Sequence, residues 1–377
     1  MPEGTILITG STGNVGMYLS LFLARRGIAN IIYLGSRDIR KVSTVLYNAR
    51  CAGLMRGFDI RVEHAECDLL NPEATADLFS RIKPTLIVHS AALLSLYPFF
   101  KALRKRQKRM NFVAGFGHTL PKDCALLWPL MKAVKNVCPD TPVVNLAAPD
   151  TAHAILSKRN LAPTVGSGTI DSTVHGIQLA VAKRMNINPL QIDVRLVCHH
   201  SIRRFSLNEV PFFLRIYHGQ HDLTHQLDHK ELISEAVDVS GVETMTTPVT
   251  TNAPITAASA VETAAAMLLQ TGAIRHGAGV QGLPGATPVR LTMSGAEIVL
   301  PDGINMKEAV KINTEGMRMT GVERIEDDGT VVFTERERYW LREGMGLSWD
   351  KMRLEDSYLM SEELEGAYKR LNKEEEG

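Results

Sequence analysis

Short apolar runs alternate with helical stretches along the first 150 residues. Thr5–Thr9 is an apolar run that ends at Gly10; an apolar helical stretch follows, and Ile31–Leu34 is apolar again. RVEHAECDLL (61–70), TLIVHSAALL (85–94) and PVVNLAAPD (142–150) read as further strands. EATADLFSRI and ALLWPLMKAVKNVCPD (125–140) lie between them with helical spacing. Roughly five strands alternating with helices predict an α/β fold, a doubly wound parallel sheet of the Rossmann kind over residues 1–150.

The pattern changes after residue 150, and residues 151–377 are expected to form a second, α+β domain. AHAILSKRN reads as a helix, PTVGSGTIDSTVHG (163–176) as a strand and small-residue turn, and IQLAVAKRMNI (177–187) as a helix. QIDVRLVCHHS (191–201) is a strand ending in paired histidines. ITAASAVETAAAMLLQTGA (255–273) is strongly helical by composition. PVRLTMSGAEIVLPDGINMKEAVKI and VERIEDDGTVVFTERER read as antiparallel strands turning at PDG and DDG. The tail SEELEGAYKRLNKEEEG predicts a charged helix fraying at its end.

Composition narrows the function classes. The chain has 377 residues, 45% of them hydrophobic, with 42 Lys+Arg against 41 Asp+Glu. No global field recruits nucleic acid or a membrane. No apolar run is long enough for a membrane span, and MPEGTILITG enters a strand without a signal-peptide core. Five cysteines without CxxC spacing fit a reduced, cytoplasmic protein with no zinc or disulfide scaffold.

The candidate chemistry begins at the first strand–helix turn. Gly10, Gly13 and Gly16 fall at three-residue intervals between a strand and a helix. Gly10 permits the tight turn, Gly13 lets backbone approach a pyrophosphate, and Gly16 lets the helix pack against the sheet. Ser11, Thr12, Asn14 and Val15 complete the phosphate cradle at a helix N-terminus. At the end of the second strand, Ser36 and Arg37 occupy the ribose-facing position; Arg37 suits a 2′-phosphate and favours NADP, whereas Asp38, one or two positions later, would suit NAD. A basic cluster, KALRKRQKR (101–109), reads either as a mobile lid or as a solvated helix face. His218, His221, His225 and His229 include i,i+4 steps, but no Glu lies between them as a metalloprotease helix requires; a polar helix beside the active site, holding no metal, is expected.

The chain resembles the lactate/malate dehydrogenase superfamily, especially its malate dehydrogenase-like members with a GxxGxxG turn. GSTGNVG, the helix ending KNVCPD, GSGTIDS, the AKRMNINPLQIDV block before His199-His200, and ITAASAV carry the likeness. The resemblance implies an NAD(P)-dependent dehydrogenase with a small-molecule hydroxy or oxo substrate, assembled as a homodimer or homotetramer. It implies His200 as acid/base oriented by Asp171, with His199 the competitor one position away. The family's substrate-clamping Arg is replaced by Val174 or, without a gap, by His175; that register also puts Ser172 in place of Asp171. The family's Asn-Pro turn becomes Ala147-Ala148 or Ala148-Pro149. His175, Arg104 and Arg109 are the candidate anion contacts, and Thr256 stands at a substrate-facing hydroxyl position or caps its helix. Without the clamp, simple pyruvate and oxaloacetate are not the expected substrates.

Two other readings stay open. LIVHSAA resembles the cofactor strand of extended short-chain dehydrogenases and epimerases, which makes Ser90 and Ala91 cofactor candidates; their YxxxK occurs at Tyr97–Lys101 but too close to the strand. A nucleotide-sensing Rossmann protein without chemistry is the third reading.

Overall fold

The computed structural model of the chain describes residues 4–239 and 252–376. Six parallel strands open it: β1 (Thr5–Thr9), β2 (Ile31–Ser36), β3 (Arg61–Glu66), β4 (Leu86–His89), β5 (Val143–Asn145) and β6 (Val165–Gly166), in spatial order 3-2-1-4-5-6. That order comes from right-handed crossovers through α1 (Asn14–Arg26), α2 (Ile39–Leu54), α3 (Pro72–Ile82), α4 (Phe100–Arg109), α5 (Leu120–Val137) and α6 (Pro149–Ser157). The strands are apolar on both faces because helices cover both; Ile6, Leu7, Ile8, Leu86, Ile87 and Val88 are all fully buried.

The sheet does not stop at β6. After α7 (Thr169–Met185) come β7 (Ile192–Cys198), β8 (Phe212–His218), β9 (His221–Asp222), α8 (His229–Val239), α9 (Ala253–Leu268), β10 (Ile274–Ala278), β11 (Ala286–Thr292) and β12 (Gly295–Ile298). β10 pairs antiparallel with β6 and carries the sheet through β11 and β7 to β8 and β9, giving twelve strands among the described residues. The expected units 1–150 and 151–377 therefore share one sheet. Helix α9 crosses back onto α1, where Ala257, Ala260, Val261 and Ala264 pack with Leu19 and Leu23.

The last part of the chain holds α10 (Met306–Met319), β13 (Val322–Ile325), β14 (Val331–Phe333), α11 (Glu335–Tyr339), β15 (Lys351–Met352) and α12 (Ser357–Glu376). β13, β14 and β15 form a separate three-stranded sheet. Three sequence expectations change here. NMKEAVKI is not strand: the Asn305 side chain accepts from Glu308 N–H and the Glu308 carboxylate accepts from Asn305 N–H, a capping box that starts α10. ERER opens α11 behind its Thr334 cap rather than ending a strand. The end of α12 does not fray: Arg106 and Arg109 of α4 pair with Glu375, and Arg106 also pairs with Glu374.

Two further corrections bear on the site. The strand in PTVGSGTIDSTVHG is only Val165–Gly166, and α7 begins at Thr169, so Asp171 lies in a helix's first turn. The His-rich stretch is not one helix: His218 and His221 face each other across the β8–β9 hairpin, His225 lies in a short turn, and His229 starts α8.

Candidate active site

A cavity of about 810 Å³ runs along the carboxyl ends of the parallel strands, from the glycine turn to the paired histidines. This is where an open α/β sheet binds ligands. At one end, Gly10 adopts φ 78°, and a Cβ there would come within 2.7 Å of the Ala91 nitrogen. A Cβ on Gly16 would meet the Gly10 carbonyl at 2.1 Å. The turn therefore fits tightly against the β4 loop, with Ser90 Oγ donating to the Thr9 carbonyl. Gly13 caps α1 without any side-chain hydrogen bond, so the helix N-terminus is left for an anionic ligand. Gly10, Thr12, Gly13, Asn14, Val15, Ser90 and Ala91 line the cavity, while Ser11 is buried and donates to the Gly35 carbonyl. A dinucleotide fits this frame: an uncapped helix end for its phosphates and a turn too tight for side chains.

Ser36, Arg37, Asp38 and Lys41 line the next part. Asp38 is the N-cap of α2, accepting from Arg40 N–H at 2.9 Å, and Ser36 Oγ bonds both Asp38 backbone groups. Arg37 is exposed.

At the far end, β7 delivers His199 and His200, and the turn after β5 delivers Asp150. Asn145 shapes that turn: its Oδ1 accepts from Ala147 N–H, its Nδ2 donates to the Ala147 carbonyl, and Ala148 is held at φ 44°. Asp150 is buried and accepts from His200 N–H at 3.2 Å; burial raises its carboxyl to about 6. His200 Nδ1 lies 3.1 Å from Thr169 Oγ1, and its ring meets Phe116 edge-on at 5.7 Å. Burial and then the nearby Arg203 charge push His200 down to about 3. His199 is 2% exposed; its Nδ1 accepts from Ser201 N–H, and burial pushes it to about 3.

Asp171 does not meet His200. It accepts from Ser259 Oγ of α9 at 2.9 Å and pairs with Arg275 of β10 at 2.5 Å. From the first turn of α7 it faces β10 and α9, whereas His200 follows β7; Thr169 lies between as the imidazole's neighbour. His175 turns onto its own helix, 2.6 Å from the Asp171 carbonyl, and is not among the cavity walls. Arg104 and Arg109 lie on α4 outside the cavity lining, and Arg109 is committed to Glu375. Thr256 does line the cavity, and the N-cap of α9 is Asn252, so Thr256 is not the cap. Sequence reasoning missed Thr169, Asp150, Phe116 and the Lys122–Asp123 pair at 2.6 Å, all of which line the cavity. Only PD after the fifth strand hinted at Asp150.

By sequence, a KR domain family model matches residues 4–111. No curated protein matches the chain in sequence. Three solved structures show what the fold is similar to. The malate dehydrogenase from Aeropyrum pernix is 16% identical, with a TM-score of 0.59 over 84% of this chain and 97% of its own. A lactate dehydrogenase from a Medee basin deep-sea metagenome is 14% identical, with a TM-score of 0.61 over 85% and 98%. The lactate dehydrogenase from Cryptosporidium parvum, solved with lactic acid and nicotinamide adenine dinucleotide, is 17% identical, with a TM-score of 0.57 over 85% and 96%. With its parallel 3-2-1-4-5-6 strands, antiparallel continuation and cavity at the strand ends, the chain has the fold of the malate and lactate dehydrogenases.

Proposed function

We propose that the protein is an NAD(P)-dependent oxidoreductase that moves a hydride between a nicotinamide and a hydroxy or oxo compound. The observation that carries this reading is the single cavity joining the uncapped glycine turn to the His200 imidazole. The nicotinamide, when bound, supplies or accepts the hydride. Gly10, Gly13 and the α1 N-terminus would hold the cofactor's pyrophosphate, and Ser36, Arg37 and Lys41, which line the same cavity, would face its adenine ribose. NADP is the preferred cofactor. Asp38 already caps α2, and Arg37 is exposed at the cavity edge for a 2′-phosphate. The Cryptosporidium parvum neighbour, solved with nicotinamide adenine dinucleotide, supports a nicotinamide cofactor.

His200 is the acid/base. Its Nδ1 is engaged with the Thr169 hydroxyl, so Nε2 is the nitrogen that faces a substrate hydroxyl. In the tautomer that donates Nδ1–H to the Thr169 hydroxyl, the Nε2 lone pair is free to take a proton. A hydroxyl does not stabilise imidazolium as a carboxylate would. His200 therefore enters the reaction neutral, ready to receive the proton of an alcohol while hydride leaves the carbinol carbon. Asp150 fixes the histidine's backbone, and Asp171, tied to Arg275 and Ser259, holds the start of α7. Pyruvate and oxaloacetate are poor substrates, because among the described residues no arginine lines the cavity beside His200. The test is nicotinamide absorbance with purified protein, both cofactors and a panel of secondary alcohols and ketones. Tight dinucleotide binding with no turnover of any carbonyl would instead favour the nucleotide-sensing reading.

A further inference from the structure

The same cavity has an apolar wing, lined by the β4–α4 connection and the start of α5 and touching His200 through the Phe116 ring. Its walls include Leu94, Leu96, Phe100, Phe116, Leu120 and Leu126. The last part of the chain closes it with Thr320 and Val322. Charges are the deciding feature. The basic residues lining the cavity, among the described residues, are Arg37 and Lys41 at the ribose end, Lys122, and the histidines His199, His200 and His276. Lys122 is neutralised by Asp123, with both side chains largely buried. None of the neighbouring arginines, Arg104, Arg106, Arg109, Arg203 and Arg204, is among the cavity walls. Arg106 and Arg109 are spent on Glu375, and Arg203 donates to Thr169 O and Thr173 Oγ1. Arg204 lies behind the Phe116 ring and donates to Gln107 and the Ala114 carbonyl, and Arg104 Nη2 is buried with no partner among the described residues, outside the lining. Residues 240–251, SGVETMTTPVTT, contain no Lys, Arg or His. A substrate carboxylate placed beside His200 would be desolvated without a bidentate partner.

We infer that the wing takes the uncharged apolar chain of a secondary alcohol or its ketone, so that the substrate class is a neutral alkyl or aryl carbinol rather than a 2-hydroxy acid. This rests on the oxidoreductase reading and specifies its substrate. The step balances: the carbinol C–H leaves as hydride to NAD(P)⁺, the hydroxyl proton goes to His200, and ketone, NAD(P)H and a proton result.

The experiment separates binding from turnover. Calorimetry of 2-butanone, 2-hexanone and 2-octanone is run with NADP⁺ present, where both partners are oxidised and no reaction occurs. 2-Oxooctanoate is the carboxylate comparison. Affinity should rise about fourfold per methylene, the value of burying one CH₂. 2-Oxooctanoate should bind at least about tenfold more weakly than 2-octanone, given the cost of an unpaired buried charge. Phe100→Ala should weaken 2-octanone about tenfold, as loss of an apolar wall does, and leave NADP⁺ affinity unchanged. Equal or tighter binding of 2-oxooctanoate, no binding of 2-octanone, or no dependence on chain length overturns the inference. Chain-length-dependent ketone binding without oxidation of 2-octanol by either cofactor supports the wing and instead overturns the oxidoreductase reading.

Discussion

Lowering the pH from 7.5 toward 4.5 should unfold this protein through four buried histidines. His89 and His153 are fully buried, His199 is 2% exposed and His276 is 6% exposed. Burial is the main cause that pushes His153 to about 4 and the other three to about 3. The hydrogen bonds say why. Asn145, fixed by Ala147, donates its amide N–H to His153 Nε2, whose Nδ1 donates to the Gly279 carbonyl. Leu196 N–H donates to His276 Nε2, and Ser201 N–H donates to His199 Nδ1. Protonating any of these rings turns an acceptor into a donor facing a donor. In the unfolded chain each histidine titrates near 6.5. The folded value is depressed, so between about 6.5 and 3 the unfolded state binds more protons and stability falls as pH falls. Each histidine then contributes on the order of 1.4 kcal/mol per pH unit, and the four together about 5. Asp150, raised to about 6, opposes by about 1.4 kcal/mol per pH unit between 6 and 4. By pH 4.5 these five groups alone give a loss on the order of 8 kcal/mol, comparable to the whole stability of an ordinary domain, and His200, held at about 3, adds to it with the same sign. Urea unfolding followed by tryptophan fluorescence at half-unit pH steps measures the slope. His276→Gln keeps an acceptor for Leu196 N–H and should lower the slope by about 1.4 kcal/mol per pH unit. A wild-type slope under about 1 kcal/mol per pH unit from 6.5 to 5 would show that these rings are charged in the folded state, and the reasoning would fail.

Other outcomes follow from the site. Arg37→Asp should weaken NADPH by roughly 1–3 kcal/mol, a lost charge-assisted contact, with little change for NADH in equilibrium titrations; equal wild-type affinity for the two would remove the warrant. His200→Asn should lower kcat by about 10²–10⁴ with cofactor binding intact, and Thr169→Val should give a smaller loss by freeing Nδ1. If His199→Asn is the damaging change and His200→Asn is silent, the neighbouring imidazole carries the proton. Arg106→Ala removes the partner of a nearly buried Glu375 that Arg109 still partly pairs. It should cost about 1–3 kcal/mol, read as earlier proteolysis within α12 and a lower Tm. Neutralising Arg104, Arg106 and Arg109 together should therefore act on stability more than on KM.

The first 150 residues declared themselves because their signals are local. A strand, glycines three apart and an apolar helix are neighbours in sequence, and the turn geometry that Gly10 and Gly16 permit is decided within seven residues. The parallel sheet follows from the alternation, and the paired histidines at a strand end were visible as such. What escaped was everything that depends on which distant segments meet. Asp171 and His200 are 29 positions apart, and the family resemblance implied that they form a pair. The sheet order instead brings β10 beside β6, so that Arg275 and Ser259 reach the Asp171 carboxylate first. The basic run in α4 could be read either as a lid or as a solvated helix face. Its role is decided by α12, more than 260 residues later, whose terminal glutamates dock onto it. The histidines of 218–229 were placed on one helix by spacing, but β8 continues as a hairpin because pairing with β7 across seven residue pairs outweighs local periodicity. Sequence fixes local conformation and the inventory of chemical groups; long-range packing decides which carboxylate meets which cation, and so where charge is left over for a substrate.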